Sequence, residues 1–94
     1  MMDKKESFYK KLRETLEETS SFPCAYLYKF IIPGGGVQLV ELEKAFEDKD
    51  ASFTVKPSRT GKYDSVSINL TVSSAQEVID MYQKVENIEG IISL

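Results

Sequence analysis

Residues 63–72 alternate between polar and apolar side chains, and this pattern constrains the fold more than any other feature of the chain. One set of alternate positions is apolar and the other is polar: Val66, Ile68, Leu70 and Val72 against Ser65, Ser67, Asn69 and Thr71. Because successive side chains of a strand point to opposite faces of its sheet, the pattern predicts a β-strand. One face of that strand meets a core, and the other meets water or a partner.

The remaining elements follow from periodicity and from the residues that interrupt it. Helices are predicted over residues 3–19 and 37–48, with Gly36 as the N-cap of the second, and from the capping-box sequence Ser74-Ala75-Gln76-Glu77 to about Asn87. Strands are predicted over 24–32, 52–56 and 91–94. After the first helix the order is β-α-β-β-α-β, the ferredoxin-like pattern. Right-handed crossovers then give an α+β fold, with both helices on one face of a four-stranded antiparallel sheet of order 4-1-3-2.

A chain of 94 residues has room for one small domain. We expect residues 22–94 to form the ferredoxin-like domain and residues 1–21 to form an N-terminal helical extension. Phe8, Leu12 and Leu16 give this extension one narrow apolar stripe, which predicts a helix docked on a surface or, alternatively, a partner-binding arm. The extension, a second copy of the chain or a ligand are candidates to cover the open face of the sheet.

The composition excludes several kinds of chemistry. The chain has no His, no Trp and one Cys, so a Ser-His-Asp triad, a Cys-His dyad, a His-bound metal or haem and an internal disulfide cannot form. No pair of carboxylates has a visible reason for a raised pKa. We therefore expect a protein that is not an enzyme, has no cofactor and binds no metal.

No apolar targeting or membrane-spanning segment is visible, so we expect no membrane contact and a cytoplasmic, bacterial location. Cys24 lies in an apolar stretch and is expected to be buried.

Charge is distributed unevenly along the chain. The net charge is −3, which disfavours non-specific binding of nucleic acid. Residues 51–72 depart from this balance, because this segment contains three cations, Lys56, Arg59 and Lys62, and only one acid, Asp64. This basic segment is either a solvated hairpin tip or a site for an anion or a partner.

The sequence of the basic segment is compatible with both interpretations. Pro57 fixes its own φ, Gly61 permits positive φ and Ser58 can bond the nearby backbone, which together indicate a turn that sets strand register. The functional alternative has the polar and cationic side chains surround an anion or a carboxylate, since Arg offers a fork of donors and Lys a point charge. The candidate ligand- or partner-binding residues are Lys56, Ser58, Arg59, Thr60, Lys62, Tyr63, Ser65 and Ser67.

A second candidate loop is Pro33-Gly34-Gly35-Gly36, between the first strand and the second helix. Backbone amides of Gly34, Gly35 and Gly36 at the start of a helix can hold an anion, but the residues also suit a flexible connector. The loop is not a P-loop, because no Lys follows the glycines.

The chain resembles a known family at a scattered set of residues: Phe22-Pro23, Lys29, Val55-Lys56-Pro57-Ser58, Gly61, Tyr63, Ser65-Val66-Ser67-Ile68, Tyr82 and the closing apolar strand. They are similar to the small bacterial YbeD-like family of unknown function, over roughly residues 22–94, and residues 56–67 are the most specific part. The resemblance implies a ferredoxin-like fold similar to that of ACT regulatory domains, no assigned enzymatic activity and no catalytic residues. ACT domains often bind an effector at the loop after the first strand, but the Asp that usually precedes it is absent here.

Three functions are consistent with these patterns. The first is a regulatory or adaptor module that binds a protein partner or a small anionic metabolite through the basic hairpin and the polar sheet face. The second is an ACT-like small-metabolite sensor that uses residues 33–37 at a dimer interface, and the uncharged edge strand Ile91–Leu94 is a candidate dimer contact. The third is single-stranded nucleic-acid binding by Tyr26, Tyr28 and Phe30, as in RNA-recognition domains. This third function is disfavoured because Ser65, Ser67 and Asn69 on the neighbouring strand cannot stack on bases.

Overall fold

The computed structural model describes residues 4–94, without the side chain of Lys5. The elements in chain order are α1 (Lys4–Thr19), β1 (Cys24–Pro33), α2 (Gln38–Ala45), β2 (Ser52–Pro57), β3 (Tyr63–Val72), α3 (Ala75–Val85) and β4 (Ile92–Ser93). The four strands form one antiparallel sheet of order β2-β3-β1-β4. This is the order predicted from the sequence, and the α+β, ferredoxin-like architecture with an additional N-terminal helix is confirmed.

The core lies between the sheet and the helices α2 and α3. Alternation along β1 and β3 turns one set of side chains toward the helices, and Tyr28, Phe30, Ile32, Val66 and Ile68 are all fully buried there. The helices contribute further fully buried residues, among them Leu42 and Val78, and Phe46 directly after α2 is also fully buried. The apolar positions identified in residues 63–72 therefore face the core, as the alternation predicts.

The aromatic stripe of β1 belongs to this core. The ring of Tyr28 packs edge-on against those of Tyr26 and Tyr82, with centroids 4.7 and 4.9 Å away. The Tyr28 hydroxyl donates a hydrogen bond to the Val78 carbonyl oxygen at 3.1 Å, and the Tyr26 and Tyr82 hydroxyls lie 2.9 Å apart. Tyr26, Tyr28 and Phe30 thus point toward the helix layer, not to the outer face, where bases would have to stack.

The N-terminal helix α1 packs against α3, on the helix side of the molecule. Its packed residues are Tyr9, Leu12 and Leu16, whereas Phe8 is 61% exposed. The predicted apolar stripe was therefore wrong at its first residue, which is Tyr9 and not Phe8. Residues three or four positions before Leu12 both lie on its helix face, so the spacing allowed either one. Asp3, the first residue of the predicted helix, lies outside the described residues. Because α1 docks on the helix side, residues 4–94 leave the outer face of the sheet open.

Two elements are shorter than predicted. α2 ends at Ala45 and not at residue 48, because Phe46 and Glu47 bond the carbonyl oxygens three residues before them and the helix tightens into turns. β4 spans only Ile92–Ser93, because a turn that contains Gly90 at φ +79° continues as far as residue 91. The edge strand therefore offers fewer backbone groups for pairing than residues 91–94 would.

Candidate binding surface

The turn between β2 and β3 is held by its own hydrogen bonds. The Ser58 amide donates to the Tyr63 carbonyl oxygen at 2.7 Å, and the Gly61 amide donates to the Ser58 carbonyl oxygen at 3.0 Å. The Ser58 Oγ also accepts a hydrogen bond from the Tyr63 amide at 3.2 Å. The predicted bond between Ser58 and the nearby backbone is confirmed, and Ser58 therefore has a structural role in the turn.

The other polar residues of the turn project outward. Arg59, Thr60 and Lys62 are exposed, and so is Lys56 at the end of β2. Within residues 4–94, no ion pair joins any of the three cations to an acid. The turn thus fixes the backbone while leaving its charged groups accessible.

The glycine loop after β1 lies directly against this turn. The Gly34 amide donates a hydrogen bond to the Lys62 carbonyl oxygen at 2.8 Å, and Pro33 is the register partner of Tyr63. A Cβ added at Gly34 would lie 2.5 Å from the Gly61 carbonyl oxygen, so only glycine allows this approach. The two candidate regions of the sequence therefore form one structure, residues 33–36 with 58–63, called the loop cluster below.

The loop cluster differs from expectation at the start of α2. The N-cap is Val37 and not Gly36, and no side chain caps the helix. The Gly34 amide is already bonded to Lys62, which removes one of the three glycine amides considered for anion binding. Gly35 has φ +75° and an open environment, so its role is conformational.

The outer face of the sheet continues from the loop cluster as rows of residues in register. One row runs from Lys56 through Ser65 to Ile31 and Ile92, across all four strands. The next row runs from Thr54 through Ser67 to Lys29. The face is therefore polar and cationic on β2 and β3, and it becomes more apolar toward β1 and β4.

The charged strand residues of this face are cations. Among the strand residues that the structure places on it, Lys29 and Lys56 are charged and none is acidic. Asp64, the one acid of the hairpin, occupies the opposite phase of β3 and belongs to the other face. Arg59 and Lys62 are exposed in the adjoining loop cluster, so four exposed cations occur on the outer face and on the turn next to it, in a chain whose net charge is −3. The loop cluster and the outer face together are called the binding surface below.

Sequence reasoning placed eight residues and the glycine loop on this surface but missed the part that β1 contributes. Leu27, Lys29 and Ile31 share the face, and Leu27 is 48% exposed. These residues occupy odd-numbered positions of β1, and this period of two is the sequence pattern that could have placed them on the outer face. Because both phases of that strand are largely apolar, the pattern indicated only a central strand.

Shifted pKa values occur elsewhere in the molecule. Burial raises the pKa of the Tyr28 and Tyr82 phenols, and the Ser73 amide together with Lys49 lowers the pKa of Glu77. These groups keep their ordinary protonation states at neutral pH, and none of them lies on the binding surface. The geometry of the binding surface thus provides exposed charge and shape for binding.

Other features bear on the expectations from composition. In the part of the chain that the structure describes, no cluster of three or more metal-ligating side chains occurs. None of the helices there combines the length and apolar character needed to cross a bilayer. Cys24 is half-buried and not fully buried, because β1 begins at this residue, at the margin of the core.

A family match covers most of the chain. The model of the DUF493 family, described as proteins of unknown function, matches residues 17–94. This range contains the whole sheet, α2, α3 and the binding surface. It begins at residue 17, so it includes only the last three residues of α1.

Individual relatives agree with the family match. A UPF0250 protein of Enterobacter sp. (strain 638) is 35% identical over 81 residues, which is 83% of this chain and 93% of the relative. A UPF0250 protein of Vibrio vulnificus (strain YJ016) is 35% identical over 82 residues, 84% of this chain and 85% of the relative. UPF0250 protein YbeD of Salmonella arizonae is 33% identical over 81 residues, 83% of this chain and 93% of the relative. The YbeD-like resemblance is therefore confirmed.

A solved structure shares the fold. The solution structure of protein HP0495 from H. pylori superposes with a TM-score of 0.63 at 21% identity, over 81% of this chain and 86% of that one. At this identity the likeness concerns the fold alone. By the family match and the relatives together, the chain belongs to the DUF493 family of proteins of unknown function.

Proposed function

We propose that this chain is a small non-enzymatic adaptor that binds an acidic protein partner through its binding surface. One observation carries the proposal. Lys29 and Lys56 lie on the outer face, where the described strand residues include no acid, and Arg59 and Lys62 are exposed on the turn that adjoins it, although the chain as a whole is acidic. Segregation of charge of this kind steers and orients an oppositely charged partner.

The shape of the surface favours a protein over a small anion. The outer face is a sheet surface and not an enclosed pocket. Its exposed apolar residues, Leu27 at 48% and Ile92 at 52%, lie beside the cations. Apolar side chains next to a polar, charged rim are typical of protein interfaces. An inorganic anion or a small metabolite would leave these side chains in water.

The ACT-like sensor receives less support from the geometry. The Gly34 amide of its loop is already hydrogen-bonded to the Lys62 carbonyl oxygen of the hairpin and is not available to a ligand. The two-residue edge strand β4 provides little backbone for a dimer contact. Two copies joined through the outer face would also oppose cations to cations. A partner of different and acidic character avoids that repulsion.

The proposal can be tested by photo-crosslinking from the binding surface in native cells. A photoreactive amino acid replaces Thr54, which is exposed at the centre of β2 on the outer face. The matched control carries the same amino acid at Glu43, which is exposed on α2. We expect position 54, and not position 43, to yield a crosslinked protein.

That protein is then purified and its binding is measured without crosslinking. Its affinity for the wild-type chain should fall as salt is raised, because solvent-exposed charge pairs are screened. Equal crosslinking from both positions, or binding that does not respond to salt, would contradict the proposal.

A further inference from the structure

A separate cleft lies between α1 and α3, on the helix side of the molecule and away from the binding surface. It is open to solvent and has a volume of about 250 Å³. Its lining includes aromatic, cationic, amide and aliphatic side chains: Tyr9, Lys10, Arg13, Gln76, Ile79 and Gln83. The volume lies just below the usual range of small-molecule pockets, so a ligand would have only a few carbon atoms.

Arg13 reaches from α1 to α3 at this cleft through exposed side-chain hydrogen bonds. Its Nη1 donates to Gln76 Oε1 at 2.9 Å, and Gln76 Nε2 donates to Asp80 Oδ1, also at 2.9 Å. A guanidinium has five N–H donors in a rigid plane, so the bond to Gln76 leaves donors for a ligand. The planar arrangement of these donors matches the two oxygens of a carboxylate.

Tyr9 forms a fixed apolar wall of the cleft. Its ring stacks on that of Tyr82 with centroids 6.4 Å apart, and its hydroxyl donates to Glu86 at 3.0 Å. Burial and the neighbouring Glu86 carboxylate raise the pKa of Tyr9 to about 12, so the phenol stays neutral. Ile79, which is 4% exposed, supplies a second apolar surface.

The charges of the lining favour an anion. The lining itself carries two cations, Lys10 and Arg13, and one acid, Glu6, while Asp80 and Glu86 lie behind it and accept hydrogen bonds from Gln76 and Tyr9. From this combination we infer that the α1–α3 cleft binds a small organic carboxylate with an apolar tail. The carboxylate lies at Arg13 and Lys10, and the tail lies against Ile79 and Tyr9.

This site is distinct from the proposed adaptor function and belongs to the N-terminal helix. Every lining residue from α1 precedes residue 17, where the family match begins. The cleft therefore exists because this chain carries α1, and either proposal can fail without the other.

The probe for the test is isovalerate, a five-carbon carboxylate with a branched tail. Two-dimensional amide NMR follows the side-chain NH₂ signals of Gln76 and Gln83, with Gln38, outside the cleft, as internal control. We expect saturable shifts of the two cleft glutamines and none of Gln38. Acetate, which lacks the tail, should bind at least several-fold more weakly, and isopentylamine, which lacks the carboxylate, should cause no saturable shift.

Variants separate a site from general association. Arg13→Gln should weaken isovalerate binding at least tenfold and Lys10→Gln several-fold, whereas Lys11→Gln, on the same helix but outside the lining, should leave it unchanged. The shifts of the Tyr9 ring verify that α1 remains docked in each variant. The inference is overturned if isovalerate causes no saturable shift, if isopentylamine binds equally well, or if both cleft variants bind like the wild type.

Discussion

The Gly34 amide donates a 2.8 Å hydrogen bond to the Lys62 carbonyl oxygen and so ties the loop after β1 to the tip of the β2–β3 hairpin. The backbones come this close because residue 34 has no side chain. The bond fixes the cationic tip relative to the central strand β1. Two regions that are 28 residues apart in sequence therefore act as one part of the binding surface.

Gly34→Ala is expected to destabilise the protein by about 1–3 kcal/mol, the range found when atoms are forced into a packed site. The added Cβ would meet a backbone oxygen at 2.5 Å, and that oxygen cannot rotate away. Urea unfolding measures the loss. Gly36→Ala is the control, because its Cβ would meet only the flexible end of the Gln38 side chain. Equal stability of the two variants would show that the loop cluster does not depend on the close approach.

Glu77 connects the start of α3 to the rest of the domain. Its carboxylate accepts a 2.6 Å bond from the Ser73 amide and a 2.9 Å bond from Lys49, while Ser74 Oγ accepts from the Glu77 amide. The Ser73 amide first, and then Lys49, lower the pKa of Glu77 below its ordinary value of 4.5. The stabilisation is therefore present at neutral pH and is lost as the pH falls through the lowered pKa.

Glu77→Gln should cost about 0.5–1.5 kcal/mol at pH 7. The difference from the wild type should shrink as the pH falls from 4.5 through the lowered pKa of the folded state, because the unfolded chain binds the Glu77 proton first and the folded carboxylate is protonated only at lower pH. Unfolding free energies measured between pH 7 and pH 3 check this. Glu43→Gln, on the exposed side of α2, should stay within about 0.5 kcal/mol of the wild type. A Glu77→Gln deficit that does not change with pH would contradict the assignment.

Tyr9 should make the protein sensitive to alkaline pH. Its pKa in the folded state is raised from 10.0 to about 12 by burial and by Glu86. The folded state thus holds its proton more tightly than the unfolded state, so this stabilisation is intact below pH 10 and is lost as the pH rises toward 12. Tyr9→Phe should cost about 0.5–1.5 kcal/mol at pH 7 and should flatten the alkaline decline. Denaturant unfolding at pH 8 to 11 measures both effects, and an unchanged alkaline slope would refute this role.

Truncation on the two faces of β1 should cost very different amounts of stability. Phe30 is fully buried, so Phe30→Ala should cost about 3–5 kcal/mol. Leu27 is 48% exposed on the outer face, so Leu27→Ala should cost about 1 kcal/mol or less. If the outer face is an interface, Leu27→Ala should still weaken binding of the crosslinked partner. Thermal unfolding and partner titration of the two variants separate stability from binding.

The sequence predicts the sheet well because local alternation carries the required information. The pattern from Tyr63 to Val72 fixes which side chains enter the core, and the order of elements then fixes the strand order. The capping box at Ser74 was recognisable for the same reason, since its partners lie within four residues of one another.

Relationships between distant segments could not be predicted in this way. Nothing local to Gly34 or to Lys62 shows that they are hydrogen-bonded, and the sequence therefore indicated two separate candidate sites. The position of Tyr9 against Tyr82 likewise depends on how α1 docks. Spacing alone could not decide between Phe8 and Tyr9 as the first packed residue of α1, because both are compatible with Leu12 on one helix face.

The central claim is that the cations of the binding surface recognise an acidic partner. The most direct test is the dissociation constant of the partner crosslinked from position 54, measured with Lys56→Glu/Lys62→Glu and with Lys11→Glu/Lys44→Glu. The second pair makes the same change in charge at exposed positions on α1 and α2. We predict that the first pair weakens binding by about tenfold or more, or ~1.4 kcal/mol, and that the second leaves it within about twofold. Equal effects of the two pairs would contradict the claim, because net charge and not this surface would then govern the interaction.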